Sequence, residues 1–240
     1  RMKVSGICGS DVLEWYRIKK APLILGHEMS GDVVEVGVGV SSFKVGDKVF
    51  VSHHVPCNNC NYCSRDLHTA CHTLHTTNYD PGGFAEFIRI PKINVEIGTF
   101  KLDGLTYEEG TFIEPLGCVV RGQRLCDMKH ADSLLVIGSG MSGILHIQLA
   151  KHLGVKKIVA IDVEDSRLEL AKQFGATSVL KAGEEFSDKF SRVIVCAGAM
   201  SAISTALESV DKGGNIMFFA VPEPGQNVDI PINDFWRNHI

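Results

Sequence analysis

From about residue 105 onward the chain alternates short apolar, β-branched runs with amphipathic stretches, and this rhythm constrains the fold more than any other feature. The apolar runs predict strands, and the amphipathic stretches carry apolar residues at helical spacing. Strands that alternate with helices are typical of βαβ units, whose strands form a parallel sheet. The segments that carry the pattern are, in chain order, SLLVIGSG, MSGILHIQLAKHLG, VKKIVAID, DSRLELAKQFGA, SRVIVCAG, AISTALESV and GGNIMFFA.

Up to about residue 100 the rhythm differs, because Gly and Pro bound short β-branched runs at close intervals, as in an antiparallel β-rich domain. These runs are GDVVEVGVGV, VGDKVFVSHH and FAEFIRIP. Thr106 and Glu109 have the spacing of a capping box and predict the start of a helix, which Pro115 is expected to kink or restart. We therefore predict two domains, a β-rich one over residues 1–115 and an α/β one over residues 116–240.

Bulk properties argue against several classes of protein. The chain has 240 residues and a formal net charge of −4, which disfavours nucleic acid or an anionic membrane as the main partner. No apolar run approaches the ~20 residues of a membrane-spanning helix, and the first residues lack the pattern of a secretory signal. Without such a signal, the eight cysteines favour a reducing cytoplasm and metal thiolates over a disulfide framework.

Gly138, Gly140 and Gly143 form a G-x-G-x-x-G pattern directly after the predicted strand SLLVI and at the start of a predicted helix. In this context the pattern is that of a dinucleotide-binding turn. The first glycine permits the tight turn, the second lets the backbone approach a pyrophosphate, and the third lets helix and strand pack closely. The N-terminus of the helix would supply N–H groups and the positive end of its dipole to the phosphates.

Asp162 ends the next predicted strand, 19 positions after Gly143. A carboxylate at this point accepts hydrogen bonds from the adenosine ribose and repels a 2′-phosphate, which favours NAD over NADP. Arg167 leaves NADP open, because a guanidinium nearby would bind a 2′-phosphate, but we expect Arg167 to flank the adenine. The alternative for Asp162 is a cap on the helix that begins at Asp165.

Four cysteines share the segment CNNCNYCSRDLHTAC at the spacing C-x2-C-x2-C-x7-C; they are Cys57, Cys60, Cys63 and Cys71. A bacterial 4Fe–4S loop has a last gap of about three residues and a proline after it, whereas this loop has seven and a histidine. A zinc ribbon for nucleic acid pairs two separated C-x2-C knuckles with basic residues, and only Arg65 is a full cation here. Four thiolates around one zinc ion form a closed tetrahedral shell, so the loop predicts a structural zinc site rather than a catalytic one.

A second and sparser group of residue types also suits zinc. GICGSD contains Cys8, LGHEMSG contains His27 followed by Glu28, and FIEPLGC contains Glu114. Thiolate, imidazole and carboxylate are all zinc ligands. Each residue singly has an ordinary alternative, since a lone cysteine is commonly a small buried hydrophobe and a lone carboxylate commonly lies on a surface. Only the combination is distinctive.

The combined motifs are GICGSD, GHEMSGDVVEVG, the four-cysteine loop, GGFAEF, EPLGC and GSGMSG. Together they resemble the zinc-containing medium-chain dehydrogenases of the alcohol dehydrogenase superfamily, almost from end to end of the chain. GICGSDV with Trp15, and Glu114 in place of a cysteine, look closest to the sorbitol (polyol) dehydrogenase branch. The resemblance implies an α/β fold with a GroES-like, zinc-binding catalytic domain over 1–115. A Rossmann NAD-binding domain, a doubly wound parallel sheet, would follow over 116–240.

The resemblance also implies roles for single residues. Cys8 and His27 would bind a catalytic zinc ion, with Glu28 or Glu114 as a further ligand and water or substrate completing the shell. Both glutamates stay open as the direct ligand. The cofactor-binding residues that the resemblance implies are Gly138, Gly140, Ser142, Gly143, Asp162 and Arg167.

Asp11 would lie behind His27 and fix its ring, and Ser10 would take the proton of the substrate hydroxyl and pass it on. Some relatives have a histidine near position 13 that finishes this proton path. Leu13 cannot carry a proton, so water would have to take over after Ser10. The implied reaction moves a hydride from a secondary alcohol or polyol to NAD and gives the ketone, with zinc as Lewis acid.

Two alternatives stay open. The first is a threonine or simple alcohol dehydrogenase of the same family, because pocket side chains that the sequence does not place decide the substrate. The second is a catalytically impaired zinc- and NAD-binding fragment. Compared with family members, the chain is expected to be incomplete at both termini and short between KAGEEF and SRVIVC. The resemblance further implies a small-molecule substrate and a homo-oligomer, either a dimer or a tetramer.

Overall fold

The computed structural model describes residues 1–128 and 131–240, and the chain divides into two compact units, Arg1–Pro115 and Leu116–Ile240. Among the described residues, each unit contains one sheet. Within the described ranges, no helix combines the length and the apolar character that crossing a membrane would require.

The first unit is built on a four-stranded antiparallel sheet. Its strands and α-helices are β1 (Met2–Gly6), α1 (Glu14–Arg17), β2 (Glu28–Asp32), β3 (Lys48–Val51), α2 (His72–Thr76), α3 (Lys92–Gly98), β4 (Thr99–Lys101) and α4 (Tyr107–Thr111). Its single-turn 3-10 helices are Gly9–Val12, Ile18–Lys20, Cys63–Arg65 and His68–Ala70. The strand order β1-β2-β3-β4 follows the chain, and Met29, Val51 and Tyr79 are among the buried residues of its core.

The antiparallel β-rich prediction is confirmed, but two of the three β-branched runs are mostly not strands. β2 ends at Asp32, before most of GDVVEVGVGV, and beyond it Val34, Val36 and Val38 are exposed while Val33 packs against the core. FAEFIRIP forms no strand among the described residues: it holds an isolated bridge between Arg89 and Asp80 and single backbone hydrogen bonds at Phe84 and Glu86. Loops therefore supply much of this unit.

The predicted helix start is confirmed. The Oγ1 atom of Thr106 accepts a hydrogen bond from the Glu109 backbone N–H, and the Glu109 carboxylate accepts one from the Thr106 N–H, which completes a capping box at α4. A second helix, α5 (Ile113–Leu125), begins directly afterwards with Pro115 in its first turn. Because first-turn residues need no intrahelical N–H donor, the proline restarts the helix rather than kinking it.

The second unit holds a five-stranded parallel sheet in the order β7-β6-β5-β8-β9. Its further elements are β5 (Ser133–Ile137), α6 (Met141–His152), β6 (Lys157–Asp162), α7 (Asp165–Phe174), β7 (Ser178–Lys181), β8 (Phe190–Val195), α8 (Met200–Ser209), β9 (Val210–Phe218) and α9 (Ile232–Asn238). The predicted alternation of strands and helices is confirmed, although the short strand β7 and helix α9 were not predicted. The strand order reverses at β5, so the carboxyl ends of β5 and β8 flank a crevice.

Helices cover both faces of this sheet. Val136 of β5 packs in one buried cluster with Ile147 of α6, whereas the neighbouring residue Leu135 packs in another with Ile203 of α8. Successive residues of a strand point to opposite faces, so a strand buried on both sides is continuously apolar. This explains why SLLVI lacks polar alternation.

The turn from β5 into α6 depends on a close backbone approach. A Cβ atom on Gly143 would lie 2.0 Å from the carbonyl oxygen of Gly138, so only glycine fits at this point of the helix. Gly140 differs, since a Cβ atom there would meet no atom within 4 Å. The two glycines of one motif therefore have separable roles in stability.

We expect Gly143→Ala to lower the free energy of unfolding by about 2–3 kcal/mol, because the helix must shift away from the strand. Gly140→Ala is the matched control and should cost at most about 1 kcal/mol, the size of an N-cap effect. Urea unfolding of both variants measures the difference. Equal losses in the two variants would contradict this account of the turn.

A buried histidine lies between α5 and α6. Gln123 Nε2 is 3.2 Å from His146 Nδ1 and donates to the His146 carbonyl oxygen at 2.8 Å. The His146 ring packs edge-on against Phe219, and its Nε2 atom is buried with no hydrogen-bond partner among the described residues. Burial lowers the pKa of His146 to about 4, so the folded protein holds a neutral imidazole.

This lowered pKa predicts an acid-sensitive stability. Since the unfolded chain takes up the proton near pH 6.5, the contribution is fully present above that pH, declines as the pH falls, and levels off below about pH 4. We expect the wild-type protein to lose about 2–3 kcal/mol more than His146→Leu between about pH 7 and pH 4.5 in urea unfolding. Parallel pH profiles for the two proteins would contradict the assignment.

Candidate metal and cofactor sites

The register of β1 and β2 brings the sparser set of predicted ligands together. Gly6 pairs with Glu28, so Cys8, two residues beyond Gly6, and His27, one residue before Glu28, leave the same end of the strand pair. The sulfur of Cys8, a ring nitrogen of His27 and a carboxylate oxygen of Glu28 all lie within 4.8 Å of one another. Glu114, in the first turn of α5, is not part of this close set.

Burial of Cys8, His27 and Glu28 disfavours an unpaired charge on any of these three side chains. It raises the pKa of the Cys8 thiol and of the Glu28 carboxyl, and it lowers the pKa of His27, so in each case burial disfavours the charged form. The Oε1 atom of Glu28 is buried without a hydrogen-bond partner among the described residues. A bound cation would satisfy this oxygen and reverse the penalty on both acids, so the donors fit zinc.

The predicted partners Ser10 and Asp11 lie on the 3-10 turn Gly9–Val12, which Cys8 caps. The Ser10 N–H donates to the Cys8 sulfur at 3.5 Å, and the Cys8 N–H donates to Asp11 Oδ2 at 3.1 Å. The other carboxylate oxygen, Asp11 Oδ1, is 3.4 Å from His27 Nδ1. Asp11 therefore lies behind His27 and leaves its Nε2 atom for a ligand.

Arg17 is a residue of this site that the sequence reasoning missed. Its Nη2 atom donates to Ser10 Oγ at 2.8 Å and to Asp11 Oδ1 at 3.0 Å, and its Nε donates to the Ser10 carbonyl at 2.8 Å. The contact crosses a turn and the single-turn helix α1, neither of which a sequence pattern predicted.

Two adjacent histidines after β3 were also missed. The His53 ring centroid is 4.8 Å from that of His27 and 3.8 Å from that of His54. Burial lowers the pKa of His53 to about 2, and its Nδ1 atom has no partner among the described residues. His54 Nδ1 lies 2.7 Å from the Thr77 carbonyl oxygen. The HH pair at the end of a predicted strand was the available signal.

The four predicted thiolates converge in the loop after β3. Sulfur–sulfur distances are 3.6 Å for Cys60 and Cys63, 3.6 Å for Cys57 and Cys71, and 4.0 Å for Cys57 and Cys63. Four sulfurs bound to one zinc ion at roughly 2.3 Å lie about 3.8 Å apart at the corners of a tetrahedron. The spacing therefore fits a closed zinc site made of four cysteine thiolates.

The glycine-rich turn opens a cavity of about 1010 Å³ within the second unit. Gly138, Gly140, Asp162, Arg167 and Cys196 are among its lining residues. The cavity lies at the carboxyl ends of β5, β6 and β8, which is where open α/β sheets bind nucleotides. Ser142 is placed in the first turn of α6.

Asp162 is buried and faces the glycine-rich turn. Its Oδ2 atom accepts a hydrogen bond from the Ser139 N–H at 2.7 Å, and its Oδ1 atom accepts one from the Glu164 N–H at 2.9 Å. Arg167 Nη1 is 3.8 Å from Asp162 Oδ1 and half-exposed. The helix after β6 begins at Asp165 with Glu164 as its N-cap residue, so the carboxylate does more than cap that helix.

Comparisons with known proteins agree over both halves of the chain. The family model described as "Alcohol dehydrogenase GroES-like domain" matches residues 1–97, and the one described as "Zinc-binding dehydrogenase" matches residues 143–240. The solved structure of a zinc-binding dehydrogenase from Sinorhizobium meliloti, with NADP bound, has a TM-score of 0.86 and 25% identity. That likeness covers 100% of this chain and 73% of the other.

Two curated proteins are similar to this chain over most of its length. A probable D-xylulose reductase A from Aspergillus clavatus is 36% identical over 190 residues, and the match covers 75% of this chain but only 52% of the relative. An L-threonine 3-dehydrogenase from Escherichia fergusonii is 30% identical over 247 residues, covering 95% of this chain and 71% of the relative. The chain thus spans about half the length of the xylulose reductase that it matches. It belongs to the zinc-containing medium-chain dehydrogenase family, and its α/β fold combines a GroES-like with a Rossmann-like domain.

Proposed function

We propose that this protein is a zinc-dependent oxidoreductase that transfers a hydride from a secondary alcohol or polyol to NAD and releases the ketone. The observation that carries the proposal is the convergence of Cys8, His27 and Glu28 within 4.8 Å, with Ser10 on the same turn as Cys8. The glycine-rich cavity with Asp162 supports the cofactor half of the proposal. The chain's two units, 1–115 and 116–240, would be the catalytic and cofactor domains.

In this proposal Cys8, His27 through Nε2, and Glu28 hold the catalytic zinc ion. Bound zinc supplies Lewis acidity, which lowers the pKa of a substrate hydroxyl. Glu28 is favoured over Glu114 as the direct ligand, because Glu28 is in the close set and its Oε1 is buried without a partner among the described residues. Glu114 acts at longer range. Burial is the main cause of the raised pKa of the Cys8 thiol, and the charge of Glu114 is a smaller cause.

The chain's own side chains prepare the proton step. Ser10 Oγ accepts the substrate hydroxyl proton while the Ser10 hydroxyl releases its own, and Asp11 fixes the His27 ring by facing its Nδ1 at 3.4 Å. Leu13 carries no proton, so a proton that leaves Ser10 must reach water. Holding the reacting groups in one orientation is the main contribution of such a scaffold to rate.

The second unit orients the cofactor, whose nicotinamide accepts the hydride when bound. Gly138, Gly140 and Gly143 would let the backbone reach the pyrophosphate, and Ser142 would contribute from the first turn of α6. Asp162 favours NAD because its carboxylate would repel a 2′-phosphate. Arg167, 3.8 Å away from that carboxylate, would flank the adenine.

The four-cysteine loop would hold a structural zinc ion. We expect Cys60→Ser to lose one zinc equivalent and to lower the melting temperature, since a structural zinc site contributes folding energy directly. Turnover per remaining folded molecule should fall much less. Metal analysis and thermal unfolding measure this against Cys118→Ser, an exposed thiol outside both ligand sets. A Cys60→Ser protein with full melting temperature and both zinc ions would refute the structural site.

The substrate class is part of the proposal. The 36% identity to a xylulose reductase supports a polyol, whereas the match to a threonine dehydrogenase over 95% of this chain supports an amino alcohol as the second candidate. Small-molecule turnover in the cytoplasm, by a homodimer or homotetramer, completes the proposal. The negative net charge supports the absence of nucleic-acid and membrane partners.

The test combines metal content, cofactor titration and turnover. We expect two zinc ions per chain, tighter binding of NAD than of NADP in calorimetry, and NADH formation with polyols ahead of threonine and simple alcohols. Zinc and NAD binding without turnover on any of these substrates would point instead to a catalytically impaired zinc- and nucleotide-binding protein. Absence of zinc from the folded protein would refute the proposal altogether.

A pair of glutamate variants assigns the zinc ligand. Glu28→Gln should lose one zinc equivalent and at least about 100-fold in kcat/KM, because a carboxylate ligand is removed. Glu114→Gln is the matched control and should keep both zinc ions. The reverse pattern would make Glu114 the direct ligand.

A further inference from the structure

We propose that Arg17 is a positioning residue of this reaction, which fixes the direction of the Ser10 hydroxyl and holds Asp11 against His27. The inference rests on the proposed function and deepens it at the same site. It also supplies a partner for Ser10 in a chain whose position 13 is leucine.

The guanidinium group of Arg17 donates three hydrogen bonds to the turn that contains Ser10 and Asp11. Nε donates to the Ser10 carbonyl, and the two hydrogens of Nη2 go to Ser10 Oγ and Asp11 Oδ1, at distances of 2.8, 2.8 and 3.0 Å respectively. The Arg17 side chain is only 18% exposed and that of Asp11 only 3%. The guanidinium carbon also lies 4.8 Å from the centre of the Tyr16 ring, a cation–π contact that restrains it further.

The first consequence concerns the Ser10 hydroxyl. Because Oγ accepts an N–H from a permanent cation, its own hydrogen must point away from Arg17. The remaining lone pair and the O–H are then both directed to other partners, such as a substrate oxygen. An arginine side chain does not release or accept protons at ordinary pH, so Arg17 orients Ser10 without extending the proton path.

The second consequence concerns the predicted ligand His27. Asp11 is fixed at both carboxylate oxygens, since Oδ1 accepts from Arg17 and Oδ2 accepts from the Cys8 N–H. The same Oδ1 atom faces His27 Nδ1 at 3.4 Å. A carboxylate held in this way fixes both the tautomer and the ring direction of a ligating histidine. Arg17 thus acts on His27 through Asp11.

The test uses Arg17→Ala with a matched control, Arg89→Ala, which removes an exposed arginine paired with Asp80 in the same unit. We expect Arg17→Ala to lower kcat by about 10- to 100-fold with little change in KM, because orientation rather than substrate binding is lost. Guanidinium chloride should restore part of kcat, whereas sodium chloride at equal ionic strength should not. Arg89→Ala should match the wild type.

Two further measurements separate orientation from simple support of the fold. The zinc ion outside the cysteine loop should dissociate to a chelator about tenfold faster in Arg17→Ala than in the wild type. In Ser10→Ala/Arg17→Ala, guanidinium should give no recovery, because the group that it orients is missing. If Arg17→Ala does not fold, Arg17→Lys tests the inference instead. Lysine keeps the charge but cannot donate the same three hydrogen bonds, so the kcat of this variant should still fall.

The outcomes distinguish this inference from the proposed function. A wild-type protein without zinc or turnover removes the proposed function, and the role of Arg17 goes with it. An active wild type with a lower melting temperature in Arg17→Ala but unchanged kcat and zinc dissociation overturns the role of Arg17 only. Recovery by guanidinium in the double variant would equally overturn it, because Arg17 would then not act through Ser10.

Discussion

The antiparallel register between β1 and β2 is the constraint on which the candidate zinc site depends. With Gly6 opposite Glu28, the strand ends deliver Cys8 and His27 to one place and turn the carboxylate toward them. A shift of one residue would send Glu28 to the other face of the sheet. Gly6 matters directly, because a Cβ atom there would lie 2.4 Å from Glu28 Oε2 and displace the carboxylate. Segments that are well separated in the sequence therefore become a single ligand set.

Desolvation gives that set its chemical character. Burial disfavours the charged forms of the Cys8 thiol, the His27 imidazole and the Glu28 carboxyl, yet Glu28 Oε1 has no protein partner among the described residues and Asp11 is almost fully buried beside Arg17. Buried charge is tolerated only when paired or bound to a metal. The Arg17–Asp11 pair is satisfied within the chain, whereas the proposed zinc ion would complete the Cys8–Glu28 side of the site. The two halves of the site thus differ in whether they need a ligand.

Local patterns predicted the parts of the fold that local physics decides. Thr106 and Glu109 form their capping box, and the glycines at 138, 140 and 143 lie in the turn from a buried strand into a helix. The candidate ligands were identified through motif resemblance, because nothing within GICGSD alone brings Cys8 near His27. Only the register of β1 and β2 shows that Glu28, rather than Glu114, lies close to Cys8 and His27. Sequence reasoning left those two glutamates equal.

The features that the sequence did not predict share one cause. They depend on contacts between segments that neither a hydrophobic periodicity nor a motif connects. Arg17 reaches Ser10 across a 3-10 turn and the one-turn helix α1, whose boundaries no capping pattern marked. His53 lies beside His27 only because β3 pairs with β2. The short strand β7 has four residues and no fully buried side chain, so it carried little apolar signal. Tertiary pairing, rather than propensity, decided each of these positions.

We propose that the catalytic zinc ion lies between Cys8, His27 and Glu28, and not in the four-cysteine loop. Anomalous diffraction at the zinc absorption edge, from crystals of the protein grown with NAD, tests it most directly. We expect two peaks per chain, one enclosed by the four cysteines and one bound by the Cys8 sulfur, His27 Nε2 and a Glu28 oxygen. A single peak within the cysteine loop, with the sparse set empty, would contradict it.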